Sequence, residues 1–161
     1  MPAPAIRRLG PGDVERMRAL NAVFGRAFSD PDTYGAAPPD AAYLARWLGQ
    51  AHVFALIAEA DGAVVGGLVA YELQKFERAR SEVYLYDLAV AEEHRRRGIA
   101  TALIEALKAQ AAAQGAYVVM VQADYGDGPA VALYEGLGTR EDVMHFDMAV
   151  PPSSGATRLG D

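Results

Sequence analysis

Apolar residues change rhythm along this chain, and the changes mark out its elements. Val14, Met17, Leu20, Phe24 and Phe28 recur at helical spacing. The breaker Gly10-Pro11-Gly12 separates this predicted helix from a short strand over Ile6–Leu9, and Asp13 is placed to cap the helix. A loop over Ser29–Asp40 holds three prolines together with Asp30, Asp32 and Tyr34; it is longer than a plain connector needs to be. Tyr43, Leu44 and Trp47 share one side of a second helix over Asp40–Leu48, where the aromatics serve either the core or the wall of a cleft. From His52 the rhythm becomes that of strands: His52–Glu59, an Asp61-Gly62 hairpin signal, then Val64–Lys75. Gly66-Gly67 inside the latter marks a bulge or a close approach of another backbone.

A polar turn, Phe76–Arg80, leads to a central strand, Ser81–Ala91. A helix from about Arg97, apolar at Leu103, Ile104 and Leu107, ends at Gln114-Gly115, where glycine is the favoured C-terminal residue. Tyr117–Ala123 reads as a buried strand rich in Val and Met. Pro129 opens a further helix, and Thr139–Val150 reads as a last strand. The order predicts an α/β fold with a mixed sheet, antiparallel early and with a crossover helix after the central strand.

Composition bounds this picture. With 161 residues and 52% hydrophobic content, a single domain over 1–150 is expected, followed by a Pro/Ser/Gly-rich tail over 151–161 read as disordered. There is no cysteine, so disulfides, a thiolate nucleophile and cysteine metal sites are excluded. His52, His94 and His145 stand at unrelated positions, and no metal site is expected. No apolar run is long enough to span a membrane, and residues 1–8 lack the apolar segment of a signal peptide, so a cytoplasmic location is expected. A net charge of −6 argues against nucleic acid as a partner and is compatible with a cationic substrate.

The candidate chemistry gathers on Tyr84–Thr101. By strand parity Ser81, Val83, Leu85, Asp87 and Ala89 share one face, and Glu82, Tyr84, Tyr86, Leu88 and Val90 the other. Asp87 is the one acid on its face. It is either a buried ion pair or strand-end hydrogen bond, or a carboxylate whose pKa burial raises into the range of a general base. Arg95, Arg96, Arg97 and Gly98 then precede a helix start, whose free N–H groups and dipole suit a phosphate or pyrophosphate; the alternative is a solvated basic corner. The spacing of a Walker A loop is missing, as are that of a dinucleotide fingerprint and the Gly-x-Ser-x-Gly elbow of a hydrolase.

Arg95-x-x-Gly98-x-Ala100 after a strand ending in Val90 resembles the acetyl-CoA signature of the GCN5-related N-acetyltransferases, and Asp127–Gly138 resembles that family's later helix, which carries an Ala-x-x-Leu-Tyr pattern before a Gly. The run Phe76–Met148, with Asp87–Val90, His94–Arg96 and Gln122–Asp127, resembles the aminoglycoside 3-N-acetyltransferases of the gentamicin-modifying type. The resemblance implies the GNAT fold and transfer of acetyl from acetyl-CoA to the 3-amine of an aminoglycoside. It implies Asp87 as the group that binds and deprotonates the amine, and Tyr134 as proton donor to the leaving thiolate; Tyr134 read alone serves equally as a core residue. It places the pantetheine arm and oxyanion on the backbone of Leu88, Ala89 and Val90. The pyrophosphate would lie on Arg95, Arg96, Arg97, Gly98, Ile99, Ala100 and Thr101. Asp124, Tyr125, Asp127 and Glu135, with Glu82 if it faces the cleft, would select a cationic substrate, or else Asp-Tyr-Gly-Asp-Gly is an ordinary turn. Asp127 stands where the family pattern has Asn, a departure that fits a cationic substrate. The family also implies a homodimer. Acetylation of a polyamine, a protein N-terminus or a lysine, and a non-catalytic acetyl-CoA-binding module, are the alternatives.

Overall fold

A computed structural model describes residues 3–153. The chain divides into two compact units, one through Tyr125 and one from Gly126 on. The first contains β1 (Ala5–Arg8), α1 (Val14–Ala27), a π-helical turn (Asp32–Ala36), α2 (Ala41–Leu48), β2 (Val53–Ala60), β3 (Ala63–Gln74), β4 (Ser81–Val90), a 3₁₀ turn (Glu92–His94), α3 (Ile99–Ala113) and β5 (Ala116–Val121). The five strands form one sheet in sequence order. The first four pair antiparallel, and α3 carries the chain across to β5, which lies parallel to β4. This is the mixed sheet expected from the sequence. The second unit contains α4 (Gly128–Leu137), opened by Pro129. The tail read as disordered lies, from residue 154, outside the described residues.

Local chemistry accounts for the boundaries. Asp40 caps α2 by accepting from the Tyr43 N–H at 2.8 Å. Asp13 precedes α1 without capping it; its carboxylate instead accepts from the Gly10 N–H at 2.8 Å and pairs with Arg7 and Arg16. Asp61 and Gly62 both take positive φ, 51° and 77°, as a type I′ hairpin turn requires.

The sheet is covered on both faces. On one, α1 and α2 bury Met17, Leu20, Phe24, Leu44 and Leu48 against Ala55, Ile57, Val69 and Ala89. On the other, strand alternation turns Phe54, Leu56, Leu68, Val83 and Leu85 toward α3, where Leu103 and Leu107 are fully buried. Each such large side chain contributes roughly 1.5–3 kcal/mol by leaving water. Gly67 sits where α1 comes closest to the sheet: a Cβ there would lie 2.5 Å from the Leu56 carbonyl oxygen and 2.6 Å from Leu20 Cδ1. At Gly66 a Cβ would lie 2.9 Å from the Ala89 carbonyl oxygen. The glycine pair therefore marks a close approach of backbone and helix.

Three expectations need correction. Regular alternation fails on β4: Val69 pairs with Asp87 while its neighbour Ala70 pairs with Leu85, so Tyr86 is an extra, bulged residue. Ser81, Val83 and Leu85 face α3, whereas Asp87 and Ala89 face α1 and α2, on the side of Tyr84 and Glu82. The strand Ala116–Val121, expected to be buried, is not: Tyr117, Val118 and Met120 are exposed, and among the described residues β5 pairs with β4 alone. The expected strand over Thr139–Val150 does not form: among the described residues the sheet holds β1–β5 and no strand is assigned after α4.

Candidate acceptor site at the β4 bulge

Three local features shape the site in the first unit. The bulge turns Asp87 onto the α1/α2 face. The register of β4 with β5 ends at Leu85 opposite Val121, so β4 from Tyr86 to Val90 keeps its ladder to β3 while, among the described residues, no strand pairs with its other edge. The long loop after α1 folds back as the π-helical turn and brings Tyr34 to the strand.

Asp87 lies half-buried in a groove walled by Phe24, Tyr43, Trp47, Tyr71 and Tyr86. Trp47 meets Tyr71 edge-on at 6.3 Å, Tyr71 meets Tyr86 at 6.1 Å, and Tyr86 leans on Tyr84 at 5.8 Å. The Tyr34 hydroxyl donates to Asp87 Oδ2 at 3.0 Å. That ring is fixed by Phe24 and Phe28, each with its centroid 5.7 Å away. Among the described residues no Lys, Arg or His pairs with Asp87, which removes the ion-pair reading. Burial raises the Asp87 pKa, and the Tyr34 hydrogen bond partly opposes the rise. Burial and the Asp87 charge together hold the Tyr34 hydroxyl far above its ordinary pKa, so Tyr34 remains a donor. The arrangement is a carboxylate with one oxygen tied down, in an aromatic groove, and without a cation of its own. It can hold an ammonium group and accept its proton.

The second feature follows the open edge. Arg95 Nε donates to the Val90 carbonyl at 3.1 Å and ties the turn to the strand end. Arg96 and Gly98 take positive φ, 62° and 76°, and bend the chain sharply into α3. No side chain caps α3, and Ile99 is buried, which anchors the helix start while Arg96, Arg97 and Gly98 stay exposed. Ala100 and Thr101 lie in the same first turn. The result is a helix N-terminus with its N–H groups toward solvent and arginines around it, a geometry suited to phosphate.

Among the remaining candidates, Glu82, Asp127 and Glu135 have structural partners. Glu82 shares the groove's face of β4, but its carboxylate accepts from the Tyr117 hydroxyl at 2.7 Å and pairs with Lys75 at 3.5 Å; the hydrogen bond, then the cation, hold its pKa low. Asp124 is exposed, and Tyr125 is 79% exposed. In the second unit Asp127 caps α4 by accepting from the Ala130 N–H at 3.2 Å, and Glu135 pairs with Arg140 at 3.1 Å. Tyr134 is half-buried, and burial, aided by the Asp127 charge, pushes its hydroxyl pKa up. Among the described residues no three His, Asp or Glu side chains assemble as a metal site, and no helix is long and apolar enough to cross a membrane.

Sequence reasoning missed the bond from Tyr34 to Asp87 and the place of Tyr71 in the groove wall. The unusual length of the Ser29–Asp40 loop was the available signal for the first. The second lacked one, because Tyr71 sits in an otherwise ordinary apolar strand.

Comparison with known proteins bears on the family and the fold. The profile of the Acetyltransferase (GNAT) family matches residues 19–139. The crystal structure of an aminoglycoside acetyltransferase from an uncultured soil metagenomic sample superposes with a TM-score of 0.91 at 54% identity, covering 92% of this chain and 99% of that one. A second soil-metagenome aminoglycoside acetyltransferase, in complex with sisomicin, gives 0.84 at 29% identity, covering 91% and 95%. N-acetyltransferase family 8 member 2 of Rattus norvegicus is 31% identical over 60% of this chain. The chain spans 42% of the length of that relative.

Proposed function

Because this chain belongs to the acetyltransferase (GNAT) family, whose members take acetyl-CoA as cosubstrate, we propose that it acetylates the 3-amino group of an aminoglycoside of the gentamicin–sisomicin kind. The observation that carries the reading is Asp87, half-buried, in an aromatic groove and without a cationic partner among the described residues. Sugar rings stack on aromatic walls, and an amino sugar supplies the missing cation. The soil enzyme bound to sisomicin supports the same substrate class.

The ammonium docks on Asp87 and gives its proton to the carboxylate oxygen not held by Tyr34. The freed lone pair attacks the thioester carbonyl carbon, and the developing oxyanion is met by N–H groups on the open edge of Leu88, Ala89 and Val90. The C–S bond breaks as the C–N bond is completed, and the attacking nitrogen loses its second proton to water. The thiolate takes a proton from a hydroxyl, a role assigned to Tyr134. The pyrophosphate of acetyl-CoA occupies the α3 N-terminus, with Arg95, Arg96 and Arg97 supplying charge. Asp124, Tyr125, Asp127, Glu135 and Glu82 are assigned the outer ammonium groups of the substrate.

The test is thiol release from acetyl-CoA with sisomicin, gentamicin, spermidine and a peptide bearing a free N-terminus, followed by NMR of the product. Fast turnover on the two antibiotics with acetyl on the 3-nitrogen supports the proposal. Acetyl on a different nitrogen overturns the position, and turnover on spermidine or peptide alone overturns the substrate class.

One prediction concerns Tyr34. Its hydrogen bond lowers the Asp87 pKa, so removing the hydroxyl raises it further. Tyr34→Phe should move the acid limb of the kcat/KM profile to higher pH, with a smaller loss at pH 9 than at pH 6. An unmoved limb would show that Tyr34 does not act on the Asp87 charge.

A further inference from the structure

Among the described residues that line the acceptor groove, Asp87 is the only charged one. A second ammonium entering the groove finds no second carboxylate there. One contact therefore reads charge, and the others read shape. The ring next to Asp87 in the chain is Tyr86, and the bulge is what brings the two side chains together. In a regular strand consecutive side chains point to opposite faces. Here both line the same groove.

Tyr86 is the most open of the aromatic walls. It is 64% exposed, against 52% for Tyr43, whereas Phe24 is buried and Trp47 and Tyr71 are partly so. Its ring is nevertheless held in place. It meets Tyr71 at 6.1 Å with an interplanar angle of 78°, and Tyr84 at 5.8 Å with an angle of 59°. Among the described residues the hydroxyls of Tyr34, Tyr84 and Tyr117 are hydrogen-bonded, and that of Tyr86 is not. A large ring left mostly in water and without a polar anchor does little for the fold. Fixed in advance by its two neighbours, it loses little freedom when a ligand packs on it.

We infer that Tyr86 is a specificity-determining residue, selecting acceptors whose amine is borne by a saturated six-membered ring over open-chain amines. The carbon bearing an ammonium docked on Asp87 comes within reach of the Tyr86 ring. A six-membered ring with equatorial substituents presents a flat face of axial C–H bonds. The adjoining ammonium makes those C–H bonds more positive, which suits the negative face of an aromatic ring. An open-chain amine must freeze several torsions to offer as much surface. The inference rests on the reading of Asp87 as the seat of the acceptor amine and refines it: the groove sorts amines by ring as well as by charge.

Trp47, the only tryptophan in the chain, lines the same groove, so its fluorescence reports occupancy without any reaction. The probes are cis-1,3-diaminocyclohexane and 1,3-diaminopropane, which carry two charges at similar spacing and differ by the ring. The wild type should bind the cyclic diamine roughly three- to tenfold more tightly, the range that one aromatic contact contributes. Tyr86→Leu should bring the two dissociation constants to within about twofold of each other. Tyr86→Phe, which keeps the ring, should restore the preference. Equal affinities in the wild type, a preference that survives in Tyr86→Leu, or no response of Trp47 to either diamine at tens of millimolar overturns the assignment. The wild-type comparison stands even if a variant folds poorly, and melting curves of both variants check their folds. Turnover on gentamicin separates this inference from the reading it rests on. Acetylation of gentamicin without a ring preference overturns the role of Tyr86 alone. A ring preference without acetylation of gentamicin supports that role and overturns the antibiotic as substrate.

Discussion

Replacing Asp87 with Asn should cut turnover roughly 10²- to 10⁴-fold, the usual contribution of a positioned general base. Acetyl-CoA affinity should stay within a few-fold, because the arginine turn and the α3 N-terminus do not involve this carboxylate. The amide oxygen can still accept from Tyr34, so the groove should keep its shape. The stability sign follows from the pKa direction. Burial raises the Asp87 pKa in the folded state, so the charged form is disfavoured there, and the wild type loses stability as pH rises through that titration. The variant lacks this loss. It should therefore melt at or above the wild-type temperature at pH 7, with the difference shrinking below the ordinary carboxylate range. Thiol release and a pair of melting curves at pH 7 and pH 4 check both statements. Unchanged turnover would remove Asp87 from the base role, whereas a lowered melting temperature at pH 7 would mean that the loss of activity came from the fold.

Gly67→Ala should be the most destabilising single-methyl addition. The new Cβ would lie 2.5 Å from the Leu56 carbonyl oxygen and 2.6 Å from Leu20 Cδ1. Leu20 can rotate, but the backbone of β2 is held by ladders on both sides and cannot yield as cheaply. Overpacking of this kind costs about 1–3 kcal/mol, and each kcal/mol lowers the melting temperature by about 2–4 °C in a protein of this size. Gly136→Ala is the control. It lies inside α4, a Cβ there meets nothing within 4 Å, and the change should stabilise by about 0.5–1 kcal/mol through helix propensity. Thermal melts of the two variants should move in opposite directions.

These two sites also show what the sequence could and could not reveal. The glycine pair announced a close approach, though not which neighbour approaches, because Leu20 lies far away in the chain. The hairpin at Asp61-Gly62, the crossover helix and the α3 start were legible because each depends on residues near one another. The acid in a strand was legible as an anomaly, which is why Asp87 stood out. Its orientation was not, since one bulged residue reverses alternation and leaves no mark in composition. The bond from Tyr34 left only the length of its loop as a signal: its partner lies on another element, and the folded loop brings them together. The Glu82 and Asp127 carboxylates were legible as candidate substrate acids; the tyrosine and the helix end that they also engage became visible in the fold. Thr139–Val150 was read as a strand and forms none among the described residues: a strand is a relation between two segments, and pattern supplies just one of them.

The bulge at Tyr86 works as a frameshift within a strand. Before it, β4 keeps the phase that the α3 core demands; after it, the phase is reversed and the strand addresses the groove. Core and chemistry therefore occupy one continuous strand without sharing a reading frame. Substitutions in Val83 or Leu85 tune packing, and those in Asp87 or Ala89 tune the site, with little crosstalk between them. Deleting Tyr86 would restore an unbroken pleat and carry Asp87 round to the face of Leu103 and Leu107, trading a reactive carboxylate for a charge in the core.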